Sequence, residues 1–280
     1  MYVRTVYTVK ELRSALDSTP DVGLVPTMGA LHAGHEKLID VARRECRNVV
    51  VSIFVNPIQF GPNEDYSRYP RPLNQDLEKC ERMGADLVFA PSVEEMYPAR
   101  QVTFVEVTRV GEHLCGKFRP GHFRGVATVV MKLLNIVQAD RAYFGEKDRQ
   151  QLAVIRRMVA DLNVRVTVIG VPTVREHDGL ALSSRNRYLS AEERIAAPAL
   201  YLALQEAAAR VRAGERDASH VRNAGLGVLA AQPLIRVEYF ETVNPEELQP
   251  VIVINRSVCI AAAIWLSNTR LIDNICVNAG

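Results

Sequence analysis

Two histidines three residues apart, His32 and His35, stand in the stretch PTMGALHAGH at residues 26–35. The stretch follows an apolar run and precedes a helical pattern, and its Gly29 and Gly34 would allow a ligand to approach the backbone closely. The first N–H groups of a helix have no partners inside it and the helix dipole favours negative charge, so phosphate would suit this position. The pair could equally be polar residues that begin a helix. Zinc binding is the weakest interpretation, because no cysteine lies nearby in the sequence.

Three further groups of polar residues follow predicted strands or join the two halves of the chain. They are Asn56 with Gln59, the run Gly145-Glu146-Lys147-Asp148 followed by Gln150 and Gln151, and the run Leu182-Ser183-Ser184-Arg185. Neutral amides suit the recognition of hydroxyl and carboxylate groups, whereas hydroxyls and a guanidinium can bind phosphate oxygens from several directions. Exposed turns and a solvated linker would have the same composition, so both interpretations stay open for each group.

The apolar periodicity around these groups predicts alternating strands and helices in the first half of the chain. The predicted strands cover residues 22–26, 49–55, 86–90, 141–144 and 164–171, with an edge strand at 103–107. The predicted helices cover residues 10–18, 73–83, 124–137 and 149–162, with another from the histidine stretch to about residue 47. This order is typical of a Rossmann-like, doubly wound parallel sheet of the α/β class, whose ligand-binding strand ends share one edge. We therefore expect the histidine stretch and the run at Gly145 to face each other.

The second half of the chain predicts a smaller α+β domain that would serve as a lid. A capping-box pattern at Ser190 begins a long alanine-rich helix that ends near residue 213, and a second helix covers residues 218–231. Strands are predicted at residues 235–243, 251–254 and 258–265, with a last segment at 271–277. We place the boundary near Val174, which gives domains 1–173 and 174–280. In the first of them, the breaker-rich residues 60–72 predict a lid over the site.

Composition argues against several classes of protein. The 34 basic and 32 acidic residues give a net charge of +2 without long runs of like charge, so neither a nucleic acid nor a membrane surface is an expected partner. The longest apolar run, residues 258–266, is far shorter than the roughly 20 residues that span a bilayer. Because the first residues lack the apolar segment of a signal peptide, we expect a cytoplasmic protein. The five cysteines are widely spaced and predict buried or idle thiols in a reducing compartment.

The polar groups belong to motifs that run along almost the whole chain. They are PTMGALHAGH (26–35), FVNPIQF (54–60), GHFRGVATVV (121–130), FGEKDRQQ (144–151), VPTVREHDGLALSSRNRYLS (171–190) and TRLIDN (269–274). In this order and spacing they resemble the pantothenate synthetase family. The first motif is that family's form of the histidine signature of nucleotidyltransferases and class I aminoacyl-tRNA synthetases. Arg149, Leu182 and Ser267 depart from the family's usual pattern.

The resemblance implies an ATP-dependent, AMP-forming ligation in two steps. The carboxylate of (R)-pantoate attacks the α-phosphate of MgATP to give pantoyl adenylate and pyrophosphate, and the amine of β-alanine then displaces AMP. The substrates would thus be pantoate, β-alanine and ATP. The resemblance also implies a homodimer and Mg²⁺ that arrives with ATP, without a dedicated metal site on the protein.

The resemblance further implies a role for each matched residue. Charge on the phosphates would be stabilised by His32, His35, Lys147, Ser183, Ser184 and Arg185, with His35 as the proton donor. Other contacts to the nucleotide would come from Met28, Gly29, Gly34, Gly145, Glu146, Asp148, Val174 and Leu182, with Asp148 on the ribose hydroxyls. Pantoate would be held by Asn56, Gln59 and Gln151, with Met28 packed beside it and Gln59 also near β-alanine.

Other functions fit parts of the pattern. A nucleotidyltransferase that adenylylates a phosphate ester would not need Gln59 and Gln151 at a carboxylate pocket. An aminoacyl-tRNA synthetase is disfavoured because the chain has no basic tract and no anticodon-reading domain. A nucleotide-binding regulatory protein would keep the fold without turnover, although the intact His32, His35 and Lys147 weigh against it.

Overall fold

The computed structural model describes residues 3–62 and 64–279, and its Cα atoms form two compact units. The first unit comprises Met1–Val107, Arg119–Glu146 and Val154–Pro172, and the second comprises Thr108–Phe118, Lys147–Ala153 and Thr173–Gly280. Asn63, which falls within the predicted lid, lies outside the described residues. The division into functional domains between residues 173 and 174 stays a prediction.

Nine strands and ten α-helices make up the described part of the chain. The strands are β1 (Arg4–Val6), β2 (Val22–Thr27), β3 (Asn48–Ile53), β4 (Leu87–Phe89), β5 (Arg141–Gly145), β6 (Thr167–Val171), β7 (Ile235–Val243), β8 (Ser257–Leu266) and β9 (Thr269–Asn278). The helices are α1 (Val9–Leu16), α2 (Ala33–Glu45), α3 (Leu73–Arg82), α4 (Val93–Met96), α5 (Cys115–Phe118), α6 (His122–Val137), α7 (Arg149–Asp161), α8 (Ala191–Ala196), α9 (Ala199–Arg212) and α10 (Ala218–Ala230). Short 3₁₀ helices cover Pro57–Gln59, Glu146–Asp148 and Ser184–Tyr188.

The first unit contains a six-stranded parallel sheet in the order β1-β4-β3-β2-β5-β6. Valines dominate β3, which is buried along most of its length, as expected for a strand covered on both faces. After β2 the chain builds the sheet outward through β3 and β4, and then returns to the other side of β2 with β5. The strand order therefore reverses between β2 and β5, and ligands of such sheets bind at the carboxyl ends beside this point. The predicted Rossmann-like sheet is confirmed.

The second unit contains a three-stranded antiparallel sheet in the order β7-β8-β9. Ala262 on the middle strand belongs to the same buried core cluster as a stripe of alanine and leucine residues on α9. The predicted α+β class of this half is confirmed. In the described part of the chain, no helix is long and apolar enough to cross a membrane.

The predicted edge strand at residues 103–107 is wrong, because these residues join no sheet. The N–H of Val105 donates instead to the hydroxyl of Thr128 on α6 at 3.0 Å. The predicted strand at residues 251–254 is also wrong. The N–H of Val251 donates to the carbonyl of Thr242, whereas that of Ile254 donates to the carbonyl of Arg216. The segment therefore bonds to two different parts of the chain, and its only β-type pairing is an isolated bridge at Val253.

Two helix and strand boundaries also differ from the predictions. The long alanine-rich helix is interrupted between α8 and α9 at Pro198, which has no N–H to continue the ladder. The strand predicted at residues 164–171 is shorter, since only Thr167–Val171 pairs with β5. β1 was not predicted, because three residues at a sheet edge carry little periodicity.

The prediction of five idle thiols is wrong for two cysteines. Cys259 and Cys276 lie opposite each other on β8 and β9, with Cα atoms 4.0 Å apart, and form a disulfide. Their spacing in the sequence could not show this register. The other three, Cys46, Cys80 and Cys115, are free and buried. Burial, and then the nearby carboxylate of an aspartate on α3, raises the pKa of Cys80 to about 12, so its thiol stays protonated.

Candidate active site

The chain makes a tight turn directly after β2, at the point where the strand order reverses. Gly29 has φ of +79°, and its N–H donates to the hydroxyl of Thr27 at 3.1 Å. A Cβ atom on Gly29 would lie 3.0 Å from both the Asp76 carboxylate and the Ile53 side chain. The backbone therefore needs glycine here both for its conformation and for the close contact.

Asp76 of α3 holds this turn from behind. Its side chain is completely buried, and its two oxygens accept the N–H groups of Ala30 and Leu31, each at 2.8 Å. Asp76 is not among the residues that the sequence predicted for the site. The available signal was a carboxylate on the apolar face of a predicted helix, three residues after Leu73 and four before Cys80.

The two histidines form a reciprocal cap at the start of α2. The Nδ1 atom of His32 accepts the N–H of Gly34 at 3.1 Å, and the Nδ1 atom of His35 accepts the N–H of His32 at 3.3 Å. Because both Nδ1 atoms are acceptors, each neutral ring carries its proton on Nε2. The ring centroids are 4.1 Å apart. Two Nε2–H donors thus lie side by side at a helix N-terminus, which suits an anion.

The residues after β3 form a buried amide cluster with Met28. The Nδ2 group of Asn56 donates to Gln59 Oε1 at 3.0 Å and to the carbonyl of Gly125 at 3.1 Å, while Tyr97 donates its hydroxyl to Asn56 Oδ1 at 2.8 Å. The Nε2 group of Gln59 lies 3.1 Å from the Met28 sulfur. The first unit therefore brings together Met28, Asn56 and Gln59, three of the four residues expected at pantoate.

The GHFRG motif at residues 121–125 supports this cluster. A Cβ atom on Gly125 would lie 2.4 Å from the carbonyl oxygen of Ile58, so only glycine lets α6 approach the turn. His122 Nδ1 lies 2.8 Å from the carbonyl oxygen of Gln59, and its Nε2 lies 3.0 Å from a guanidinium nitrogen of Arg119. A carbonyl only accepts and a guanidinium only donates, so neutral His122 carries its proton on Nδ1. This tautomer is the opposite of that of the two histidines at α2.

Arg119 also holds the predicted lid segment, residues 60–72, within the first unit. Its guanidinium donates to both carboxylate oxygens of Glu64, with the Nε–Oε1 distance 2.8 Å. Burial acts to raise the pKa of Glu64, but the hydrogen bonds and charge of Arg119 outweigh it and lower that pKa below its usual value. Within the same segment, Phe60 packs against Tyr66 with ring centroids 5.4 Å apart. Movement of residues 60–72 as a lid stays a prediction.

β5 ends at Gly145, on the other side of the reversal point from β2. A Cβ atom on this glycine would meet no described protein atom within 4 Å, so packing does not require glycine at this position. Glu146 follows as the first residue of a 3₁₀ turn and is half-buried. The carboxyl ends of β2 and β5 therefore bring the histidine turn and Gly145 to one edge of the sheet.

In the second unit, the residues after Glu146 carry the next predicted contacts. Lys147 is mostly buried, and its ammonium lies 3.8 Å from the carboxylate of the more exposed Asp148. Gln150 is buried and donates to the carbonyls of Val110 and His113 at 2.8 and 2.7 Å, which commits its amide hydrogens to the backbone. Gln151, which with Gln59 was expected at pantoate, is half-buried.

The segment from Thr173 to Tyr188 brings the remaining predicted residues together. The N–H of Leu182 donates to the carbonyl of Val174 at 3.0 Å, which closes a small hairpin. Ser183 then caps the following 3₁₀ helix by accepting the N–H of Arg185 at 3.3 Å, and Ser184 is buried at its start. The second unit thus gathers Val174 and Leu182 with the Ser183-Ser184-Arg185 run, as their sequence proximity suggests.

Residues 3–62 and 64–279 contain no group of three or more His, Cys, Asp or Glu side chains arranged to hold a metal ion. The sheet edge of the first unit instead offers neutral donors and helix N–H groups, which is the chemistry of a site for anionic groups.

Comparison with known proteins decides between the possible families. A family model described as pantoate-beta-alanine ligase matches residues 2–276. This chain belongs to the pantoate-beta-alanine ligase family. It is 55% identical to a pantothenate synthetase of Chloroflexus aurantiacus over 273 residues, which cover 97% of each chain. It is 54% identical to that of Pelotomaculum thermopropionicum over 94% of this chain and 93% of the relative.

Solved structures of this ligase family share the fold. A crystal structure of pantothenate synthetase from Thermus thermophilus has 52% identity and a TM-score of 0.95, covering 98% of this chain and 99% of that one. The pantoate-beta-alanine ligase of Francisella tularensis, complexed with beta-gamma ATP and beta-alanine, has 34% identity and a TM-score of 0.81. That match covers 98% of this chain and 97% of the Francisella chain. The family and fold expected from the sequence motifs are confirmed.

Proposed function

We propose that this ligase joins (R)-pantoate to β-alanine with ATP through a pantoyl adenylate. The pantoate carboxylate oxygen bonds to the α-phosphorus as the bond to pyrophosphate breaks, and the β-alanine nitrogen then bonds to the acyl carbon as AMP leaves. The observation that carries the proposal is the reciprocal cap of His32 and His35, which lies at a helix N-terminus beside the reversal of strand order. In-line placement of the two reactants can supply about 7–11 kcal/mol of the barrier reduction.

The nucleotide contacts proposed for the first unit are Met28, Gly29, His32, Gly34, His35, Gly145 and Glu146. Those proposed for the second unit are Lys147, Asp148, Val174, Leu182, Ser183, Ser184 and Arg185. His32, His35, Lys147, Ser183, Ser184 and Arg185 would stabilise phosphate charge, with His35 as the proton donor and Asp148 on the ribose. The open space at Gly145 supports a close approach of a ligand to the backbone.

Asn56, Gln59 and Gln151, with Met28, are the proposed pantoate contacts. The Nε2 group of Gln59 donates to the thioether sulfur of Met28, which is a weak acceptor. A hydroxyl or carboxylate oxygen of pantoate would therefore be a better partner than Met28, and binding would gain from the exchange. The bonds of Asn56 fix the orientation of the Gln59 amide before the substrate arrives.

Mg²⁺ would enter as part of the MgATP substrate and keep its water ligands. Mg²⁺ dehydrates reluctantly and is usually bound through substrate phosphates and one or two carboxylates. A homodimer and a cytoplasmic location are further proposals, made from the family resemblance.

ATP–pyrophosphate exchange tests the proposed reaction. Exchange is expected only when pantoate is present, and AMP release only when β-alanine is also added. Exchange without pantoate would indicate a different acid or a phosphate ester as substrate. Nucleotide binding without any exchange would indicate a regulatory protein.

Replacing Lys147 tests the phosphate contacts directly. Lys147→Ala should lower pantoate-dependent exchange by about 10²–10³-fold, because it removes a charged donor from the transition state. Lys117→Ala changes an exposed lysine in the same unit and serves as the control. An exchange rate within about twofold of wild type for Lys147→Ala would remove this residue from the proposed site.

A further inference from the structure

The TRLIDN motif on β9 includes Arg270, Asp273 and Asn274, three polar residues of a strand that packs into the core of the second unit. Arg270 pairs with Glu238, Asp273 is 3% exposed, and Asn274 is half-buried. Buried polar groups lower stability unless they are hydrogen-bonded, so each must have a specific partner. The proposed reaction uses none of the three.

Asn274 holds the backbone of Lys147. Its Nδ2 group donates to the Lys147 carbonyl oxygen at 2.9 Å. Lys147 is the middle residue of the 3₁₀ turn Glu146–Asp148. A hydrogen bond to this carbonyl fixes the peptide plane next to the Lys147 Cα atom, and so limits the directions in which the side chain can leave the backbone.

The neighbouring Asp273 holds a different segment of the same unit. Both of its carboxylate oxygens accept from the Arg175 guanidinium, which also lies 3.8 Å from the centre of the Tyr201 ring. Arg175 also donates to the carbonyl of Gly179, inside the hairpin that Val174 and Leu182 close. Successive residues of a strand point to opposite faces, so adjacent positions on β9 can reach two separate segments.

Two alanines provide the space for this arrangement. Ala262 lies opposite Asp273 across the strand pair, and Ala261 lies opposite Asn274. The N–H of Asn274 itself donates to Asp273 Oδ1 at 2.8 Å, which links the two side-chain anchors. β9 therefore places Asn274 in contact with the Lys147 turn and Asp273 in contact with the Arg175 hairpin.

We propose that Asn274 is a positioning residue for Lys147, aiming its ammonium group through the bond to the Lys147 carbonyl without touching the nucleotide itself. The inference rests on the proposed role of Lys147 at the phosphates. A shift of about 1 Å in a catalytic group can lower a rate about 100-fold, so losing one anchor of the turn should have a measurable effect.

A double-mutant cycle between Asn274 and Lys147 tests the proposal. Asn274→Ala should lower kcat of pantoate-dependent exchange by about tenfold, with a smaller change in KM for pantoate. In a Lys147→Ala background the same substitution should change the rate by less than about twofold, because the group that Asn274 aims is already absent. Asn274→Leu, which keeps the volume without the donor, should behave like Asn274→Ala.

Asn278→Ala is the matched control, since it changes an exposed asparagine on the same strand. Thermal unfolding of each variant verifies folding before the rates are compared, and Asn274→Leu replaces Asn274→Ala if the smaller side chain does not fold. Equal losses from the Asn274 substitution in the wild-type and Lys147→Ala backgrounds would overturn the positioning role while leaving the proposed reaction intact. An absence of pantoate-dependent exchange in the wild-type enzyme would instead overturn the proposed function.

Discussion

The histidine turn of the first unit and the Lys147 turn of the second are held by different chemistry. Asp76 is a fully buried carboxylate that accepts two backbone N–H groups, whereas Asn274 is a half-buried neutral amide that donates to one carbonyl. Hydrogen bonds to a charged group contribute about 1.5–3 kcal/mol each, and neutral ones about 1 kcal/mol. The first turn should therefore be rigid and intolerant of substitution, and the second easier to displace.

The largest expected effect comes from Asp76→Asn. The amide keeps the shape but turns one acceptor into a donor that faces a backbone N–H, leaving a buried donor without a partner. We expect the free energy of unfolding, measured with urea, to fall by roughly 2–4 kcal/mol. Glu78→Gln, on an exposed position of α3, should stay within about 0.5 kcal/mol of wild type. Equal stability of Asp76→Asn and wild type would mean that the buried carboxylate holds its turn no more strongly than a neutral amide would.

Alanine substitutions at a helical glycine in each unit should change stability in opposite directions. Gly125→Ala places a Cβ atom 2.4 Å from the Ile58 carbonyl oxygen, and moving that backbone should cost roughly 1–3 kcal/mol. Gly227 on α10 has nothing within 4 Å of the added atom, so Gly227→Ala should raise stability by up to about 1 kcal/mol. Denaturant titration of both variants measures the two changes. A stable Gly125→Ala protein would show that the amide cluster is less tightly fixed than its distances indicate.

The smallest expected effect is the acid sensitivity of the hairpin in the second unit. Asp178 and Glu176 pair with Arg194, and the hydrogen bond from Arg194 lowers the pKa of Asp178 below its ordinary 3.8. A carboxyl with a lowered folded-state pKa stabilises the fold above its unfolded pKa, and this contribution is lost as the pH falls through the folded pKa. The pair is partly exposed, so it should contribute less than about 1 kcal/mol.

Thermal unfolding of wild type and Asp178→Asn across the acid range measures this contribution. The advantage of wild type should be largest near neutral pH, should decline as the pH falls below 3.8, and should disappear once the pH is below the lowered folded-state pKa. A difference that is independent of pH would mean that the substitution acts through packing or through the bond to the Leu180 N–H. The stability lost by Asp178→Asn can then be compared with the stability lost by Asp76→Asn at the first turn.

Sequence periodicity predicted the parallel sheet because its strands are continuous apolar runs, and the motifs identified the family. The position after a strand end also marked His32, Gln59 and Lys147 as candidate site residues, and their roles stay predictions. Asp76 and Asn274 were not among the candidates, because their partners are backbone atoms 46 and 127 residues away in the sequence. Because every residue has the same backbone groups, the residue types in a sequence do not indicate which backbone atom a distant side chain will bind.

The other wrong predictions concern contacts between residues that are far apart in the sequence. Residues 103–107 alternate like an edge strand, yet the N–H of Val105 is taken by a threonine on α6. The pairing of Cys259 with Cys276 depends on the alignment of β8 with β9, which composition does not reveal. Arg149, which departs from the family pattern, donates to the carbonyl of Pro245, a contact that its sequence neighbours could not indicate.

The second unit is assembled from three separate stretches of the chain. Gln150 binds the carbonyl of Val110, Arg149 binds that of Pro245, and the thiol of Cys115 lies 3.1 Å from the hydroxyl of Tyr239. A nascent chain cannot complete the contacts to Tyr239 and Pro245 until β7 and the residues that follow it leave the ribosome. A protease or a split gene that divides the polypeptide after Pro172 would also leave two short stretches on the wrong fragment, so neither piece would be a self-sufficient version of a unit.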